Sequence, residues 1–115
     1  MIPLHPSHLE AVYDCLRRFP PFRRWKLPPA EEVHFAVTRA KDTMGSYRLR
    51  RNGHHITASS SKVGHFDTLV RLVAHEMIHL AQEVAGVSSP YQHNSDFKRR
   101  AALVAKYHGF DPKEL

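Results

Sequence analysis

The chain is poor in cysteine and in long apolar runs, and each shortage excludes a class of protein. Cys15 is the only cysteine among 115 residues, so no internal disulfide can staple the fold. No apolar stretch reaches the roughly 20 residues that a membrane-spanning helix needs. The first residues, Met1-Ile2-Pro3-Leu4-His5-Pro6, lack the charged-then-apolar layout of a secretory signal. We therefore expect a cytoplasmic protein without a membrane partner.

Acidic residues are also scarce relative to basic ones. Seventeen Lys and Arg stand against eleven Asp and Glu, a formal net charge of +6, which favours polyanionic partners. A chain of this length can bury one modest hydrophobic core but not two. We predict a single domain over residues 1–115.

The most informative motif is His75-Glu76-Met77-Ile78-His79. On a helix, residues four apart lie on the same face, so the imidazoles of His75 and His79 can converge on one metal ion. Glu76 lies one step round the helix, where its carboxylate can reach a water molecule rather than the metal. This is the H-E-x-x-H pattern of zinc peptidases, in which the Glu is the general base.

The segment around this motif is predicted to be a core helix. Asp67 is the expected N-cap, the helix runs over residues 68–85, and Gly86 follows at the position where glycine commonly ends a helix. Apolar residues cover most of its circumference, and the polar residues form a single stripe. A helix this apolar belongs in the core, so its polar stripe should line a cleft.

A third metal ligand has to come from outside this helix. His93 is the leading candidate, because it follows the short loop 86–92 and precedes a second helix predicted to start near Asp96. Asp96 is the rival ligand, or it could orient an imidazole without touching the metal. Glu83 is poorly aimed, one turn beyond His79.

These segments carry a family resemblance. The run from Leu69 to His79, followed by His93-Asn94-Ser95-Asp96-Phe97, resembles the SprT-like zinc metallopeptidases, which have a third His in an H-G-x-x-F-like segment. Asn94 replaces the glycine here. Several members append a cysteine-rich zinc ribbon, and this chain is more similar to compact members of phage or prophage type.

The resemblance implies a zincin-like minimal domain and a fixed division of roles. Zn²⁺ would be held by His75, His79 and His93, and Glu76 would take the proton of the water that attacks a peptide carbonyl. Tyr91 is a candidate oxyanion stabiliser. The implied substrate is a protein or peptide, with DNA-associated proteins as one class.

The spacing of apolar residues predicts the remaining helix and strands, and together the elements form an α+β fold. A first helix with capping-box spacing at Ser7 and Glu10 extends towards Pro20-Pro21. Residues 33–38 alternate as a strand, and residues 47–50 and 55–59 flank an Asn-Gly hairpin turn. We predict three helices packed on a three-stranded sheet, with the metal helix central. The strand 55–59, or the strand 33–38 if it lies at an edge, could accept an extended peptide by strand addition.

Basic clusters suggest a second partner, DNA, because Trp25 beside three cations could stack a base. The candidate nucleic-acid-binding residues are Arg23, Arg24, Trp25, Lys26, Arg50, Arg51, Lys98, Arg99 and Arg100. The same residues have an alternative explanation, in which the charged clusters are ordinary solvated surface and Trp25 packs in the core. Two further alternatives are a non-catalytic zinc-stabilised module that binds nucleic acid, and a zinc hydrolase whose substrate is not protein.

Overall fold

The structure is a computed structural model that describes residues 3–87 and 93–115. Three α-helices and a three-stranded mixed sheet form one α+β unit. The elements in chain order are α1 (Pro6–Arg17), β1 (Val33–Thr38), β2 (Gly45–Arg50), β3 (Gly53–Ser59), α2 (Phe66–Ala85) and α3 (Ser95–His108), with short 3-10 turns at Phe22–Arg24, Ala30–Glu32 and Pro112–Glu114.

The sheet has the order β1-β3-β2, with β3 parallel to β1 and antiparallel to β2. The predicted hairpin is confirmed, since Arg51 and Asn52 connect β2 to β3. The expectation that residues 55–59 form an open edge is wrong, because β3 is central and hydrogen-bonds to a strand on each side. The edge strands are β1 and β2, and the sequence did not single out β2.

The helices pack on one face of this sheet. α1 lies against β1, while α2 contacts β2, β3 and both other helices. The core between them is apolar and includes Tyr13, Phe22, Ile56, Met77 and Ile78, all fully buried. Among the described residues, no helix is both long enough and apolar enough to span a membrane.

Two helix starts differ from the predicted ones. α1 begins at Pro6 with His5 as N-cap, whose ring accepts from the Ser7 N–H, while the ring of His8 accepts from the His5 N–H. This histidine pair takes the place of the predicted Ser7–Glu10 box, because proline suits the first position of a helix and the cap then lies at His5, two residues before Ser7. α2 begins at Phe66, two residues before the predicted start, so Asp67 lies in its first turn rather than at the cap.

The end of α2 and the start of α3 follow the sequence pattern. α2 stops at Gly86, whose φ of 74° lies in the left-handed region that favours glycine. α3 begins after Asn94, whose side chain accepts a hydrogen bond from the Phe97 N–H. These two boundaries set where the chain leaves the motif helix and where it returns.

Gly45 marks the closest approach of β2 to α2. A Cβ built there would lie 2.5 Å from the Thr57 carbonyl oxygen and 2.7 Å from Leu72 Cδ1, both far inside van der Waals contact. One of these atoms belongs to the sheet backbone and the other to a buried side chain, so neither can move freely. Only glycine lets the edge strand lie this close to α2.

We predict that Gly45→Ala lowers the free energy of unfolding by about 1–3 kcal/mol, the usual cost of overpacking a filled site. Urea unfolding followed by circular dichroism measures it. Gly64→Ala is the matched control, because no atom lies within 4 Å of the Cβ position at Gly64. Equal unfolding midpoints for the two variants would contradict the close contact.

Candidate metal centre

α2 presents the motif side chains from the centre of the fold. His75 and His79 lie one turn apart, with ring centroids separated by 5.0 Å. They are half-buried, whereas Glu76 between them is only 5% exposed. Most apolar residues in the middle of α2 are buried, as the apolar pattern predicts, whereas Phe66 and Val84 near its ends are exposed. In the middle of the helix the polar stripe is therefore the side that borders open space.

His93 joins this pair from the residue just before the Asn94 cap of α3. Its ring centroid is 5.1 Å from that of His75 and 5.5 Å from that of His79. One ring nitrogen from each histidine lies within 4.8 Å of the other two. Nitrogens bound to one zinc ion at about 2.0–2.1 Å would lie roughly 3.4 Å apart. Rotation of the exposed His93 ring can close that difference, so the donor set fits a divalent ion.

The Phe97 ring packs against all three imidazoles. Its ring centroid lies 5.1 Å from that of His75, 4.6 Å from that of His79 and 4.5 Å from that of His93. Phe97 is 3% exposed and is held by the capping bond to Asn94. The rings therefore rest against a surface that offers no competing hydrogen bond.

The environment favours the neutral form of His75 and His79, which is the form that binds metal. The pKa of His79 is lowered to about 4, chiefly by burial and also by the neighbouring rings of His75 and His93, while a hydrogen bond with Gln82 acts in the opposite direction. Burial and His93 also lower the pKa of His75, against a small opposing effect of its hydrogen bond to Leu115. Neutral rings keep a nitrogen lone pair available for a metal ion.

Glu76 is a buried carboxyl group beside the histidine cluster. Burial raises the pKa of Glu76 to about 7, although a hydrogen bond from the Tyr47 backbone N–H acts in the opposite direction. The donor lies on β2, so the close approach at Gly45 is what brings it to the carboxylate. A carboxyl group with a pKa near neutrality is suited to take and return a proton.

Two of the three imidazoles have hydrogen-bond partners outside the cluster. His75 Nδ1 lies 3.1 Å from the Leu115 carbonyl oxygen, and Arg71 pairs with Glu114 at 2.9 Å just before it. Gln82 hydrogen-bonds the ring of His79. Such partners fix which ring nitrogen carries hydrogen and which can bind a metal. No sequence motif indicates a role for Gln82 or Leu115, because an amide side chain and a backbone carbonyl form no recognisable pattern of residues.

The cluster opens onto a cleft between α2 and β2. One cavity of 460 Å³ borders residues 45–49 and the three histidines, and a second of 450 Å³ continues past Gly45 to Arg71 and Glu114. Both cavities include His75 and Glu76. A larger cavity of 610 Å³ lies elsewhere, near the start of α1 and the loop before α2, and contains none of the motif residues.

The remaining predicted residues fall into three groups. Asp96 is not part of the cluster, because its carboxylate bonds Gln82, Arg99 and Arg100. Tyr91 lies outside the described residues. The nine candidate nucleic-acid-binding residues, called the basic set from here on, include Trp25. Its exposed members are Arg23, Arg24, Lys26, Arg50, Arg51, Lys98 and Arg99.

The other two members of the basic set, Trp25 and Arg100, are half-buried and buried. Arg100 is 8% exposed and stacks over the Trp25 ring at 4.9 Å, while its Nε donates to Asp96. Trp25 packs on the hydrophobic core and meets Phe22 edge to face. The interpretation of Trp25 as a core residue therefore agrees with its place in the fold.

The fold and the site together define an α+β domain with a three-histidine cluster beside a buried glutamate. The model of the SprT-like family matches residues 12–114, which is nearly the whole chain. The chain belongs to the SprT-like family. A search of curated proteins gave no match.

The buried Glu76 should make the stability of the metal-free protein depend on pH. The pKa of Glu76 in the folded state, about 7, lies above the ordinary value of 4.5 for this side chain, so the unfolded chain binds fewer protons between these two pH values. Its contribution to stability is therefore lost as pH rises from about 4.5 to 7. We predict that the stability gained by Glu76→Gln over the parent protein increases across this window in thermal unfolding with chelator.

The shifted histidines titrate in both proteins and cancel from this comparison. Glu10→Gln, at an exposed site on α1, should show no such trend. A stability difference between Glu76→Gln and the parent that stays constant from pH 4 to 8 would contradict a raised pKa for Glu76.

Proposed function

We propose that this protein is a zinc-dependent metallopeptidase that hydrolyses peptide bonds. The observation that carries the proposal is the convergence of three imidazoles, one ring nitrogen from each within 4.8 Å of the others, beside a buried carboxyl group on the same helix. Membership of the SprT-like family supports it. The donor set is nitrogen only, which suits zinc among the common divalent ions.

His75, His79 and His93 would hold the ion. Zinc bound there would supply a Lewis acid that polarises a carbonyl oxygen and makes water more acidic. Glu76 takes the proton of the attacking water on its carboxylate and returns it to the departing amine, a transfer that its raised pKa favours in both directions. The Tyr47 N–H holds the carboxylate in place through this exchange.

The edge of β2 supplies the binding surface for an extended peptide. Hydrogen-bonded pairs alternate along an antiparallel ladder, and the Ser59 N–H bonds the Met44 carbonyl at 2.8 Å. Residues 45, 47 and 49 therefore direct their backbone groups away from β3, and the Tyr47 N–H already meets Glu76 in this direction. A substrate added along this edge would cross the cleft beside the histidine cluster.

We predict that Glu76→Gln retains one zinc per chain and loses casein cleavage by at least about 100-fold, the lower range for a lost general acid–base group. Zinc content by mass spectrometry and release of labelled peptides measure the two properties. Glu10→Gln should retain both. Full activity of Glu76→Gln would remove Glu76 from the reaction, and a parent protein that takes up no zinc would overturn the metal site.

The substrate panel should include casein, DNA and RNA, because two alternatives give other outcomes. A zinc hydrolase with a non-protein substrate would cleave one of the nucleic acids and spare casein. A non-catalytic zinc-stabilised module would bind nucleic acid, cleave nothing and bind equally well as Glu76→Gln. Cleavage of casein that requires Glu76 is the outcome of the metallopeptidase.

DNA-associated proteins are the substrate class that the charge favours. Seven of the nine basic-set residues are exposed, and with a net charge of +6 they would attract a polyanion. We predict DNA binding whose affinity falls steeply between 50 and 200 mM salt, measured by fluorescence anisotropy. Arg23→Gln with Arg24→Gln should weaken it, and an absence of binding at low salt would remove DNA as a partner.

A further inference from the structure

We infer that Gln82 is a positioning residue which, together with Asp96, locks the imidazole of His79 to the segment that carries His93. This inference rests on the metal site proposed above. It concerns how the two halves of the site, one on α2 and one at the start of α3, are kept in register. His93 is exposed and lies outside the helices, just before the Asn94 cap of α3. Contacts that hold this cap in place therefore also hold His93 near the other two histidines.

Gln82 uses both ends of its amide. The side chain is 3% exposed, and its Nε2 donates to Asn94 Oδ1 at 3.1 Å and to Asp96 Oδ2 at 3.0 Å. Both amide hydrogens are thus used, so only the amide oxygen is left for the hydrogen bond with the His79 ring. Gln82 therefore joins one imidazole on α2 to the cap of α3.

The polarity of this network allows only one orientation of the amide. Asn94 Oδ1 already accepts from the Phe97 N–H at 2.9 Å, so that atom is fixed as an oxygen. A flipped Gln82 would turn its own oxygen towards this atom and towards the Asp96 carboxylate, with no hydrogen between them. The amide oxygen must face His79, which places hydrogen on the nearer ring nitrogen and leaves a lone pair on the other.

Asp96 is itself held from two sides on α3. Arg100 Nε donates to Oδ2 at 2.8 Å, and Arg99 donates to Oδ1 at 2.7 Å. The Arg100 guanidinium lies over Trp25, so the aromatic ring covers this ion pair from water. These bonds hold the pKa of Asp96 below its ordinary value despite the opposing effect of burial. The carboxylate thus stays charged and stays an acceptor for Gln82.

The arrangement gives two residues of the basic set a different role. Arg100 and Trp25 hold the Asp96 carboxylate, which accepts a hydrogen bond from Gln82. They therefore affect the proposed metal ligands indirectly, without contacting them. The chain of contacts runs from Trp25 through Arg100, Asp96 and Gln82 to His79. Two of these links, Trp25 to Arg100 and Asp96 to Gln82, join segments that are distant in sequence, which is why composition alone could not connect them.

The test compares Gln82→Met and Asp96→Asn with the parent protein. Methionine keeps the length of glutamine but neither accepts from His79 nor donates to Asp96. Zinc affinity is measured by chelator competition, the ligand geometry by the visible spectrum of the Co²⁺ form, and the His79 tautomer by long-range ¹H–¹⁵N correlation on the metal-free protein. Zinc affinity should fall by about 10–100-fold in each variant, and His79 should populate both tautomers in Gln82→Met.

Asp14→Asn is the matched control. Asp14 and Arg18 form an i,i+4 ion pair like that of Asp96 and Arg100, at 3.1 Å, but on the exposed surface of α1. Losing it should leave the zinc affinity, the Co²⁺ spectrum and the His79 tautomer unchanged. If Gln82→Met does not fold, Asp96→Asn and Arg100→Lys test the same link, because each keeps a polar side chain of similar size.

Two results would overturn the inference. One is a parent-like zinc affinity and Co²⁺ spectrum in folded Gln82→Met and Asp96→Asn. The other is variants that lose thermal stability while the His79 tautomer stays single, which would make the network structural only. Failure of the parent protein to bind zinc would count against the proposed function, whereas the tautomer of the metal-free protein would still report on the Gln82 link.

Discussion

The contact between β2 and α2 is the constraint on which the candidate site depends. Gly45 lets the edge strand approach the helix without a Cβ between them, and two residues later the Tyr47 N–H reaches the Glu76 carboxylate. A backbone donor of this kind cannot rotate away as a side chain could. The strand that borders the cleft is therefore the same strand that orients the acid–base group.

Burial of α2 has two opposite effects that the site combines. It stabilises the fold through the apolar majority of the helix, and it desolvates the few polar groups on the remaining stripe. Desolvation makes a charged carboxylate and charged imidazoles costly, so Glu76 retains its proton more readily and His79 loses its proton more readily. The same placement thus raises the pKa of one carboxyl group and lowers the pKa of two imidazoles that could hold a metal ion.

Local rules in the sequence predicted most of the fold. The periodicity of residues 33–38, the Asn-Gly turn, Gly86 and Asn94 each act within a few residues. β1 and the end of α2 lie where the pattern indicated, whereas β2 and β3 each begin two residues before the predicted strands. Strand order is a long-range property, so the sequence identified the hairpin but not that β2 is the edge beside the motif helix. The start of α1 differed because Pro6 outweighs a Ser–Glu spacing.

The candidate site was predictable where it follows helical spacing and less so where it depends on tertiary contacts. His75, Glu76 and His79 are four residues or fewer apart on one helix, and the structure brings His93 to them. The sequence allows Asp96 to be either a metal ligand or a residue that supports one. Its contacts with Gln82 and Arg100 distinguish these two roles. The roles of Gln82, Tyr47 and Leu115 depend on backbone or amide groups that residue types do not reveal.

The backbone at Leu115 has a practical consequence for anyone who handles this protein. Its carbonyl oxygen lies one hydrogen bond from the first histidine of the motif, and the preceding glutamate is tied to Arg71. A purification tag fused after this residue would start at the mouth of the cleft and stay there at a high effective concentration. A polyhistidine tag in that place would compete with His75, His79 and His93 for any divalent ion that the cluster binds, so an amino-terminal tag is preferable.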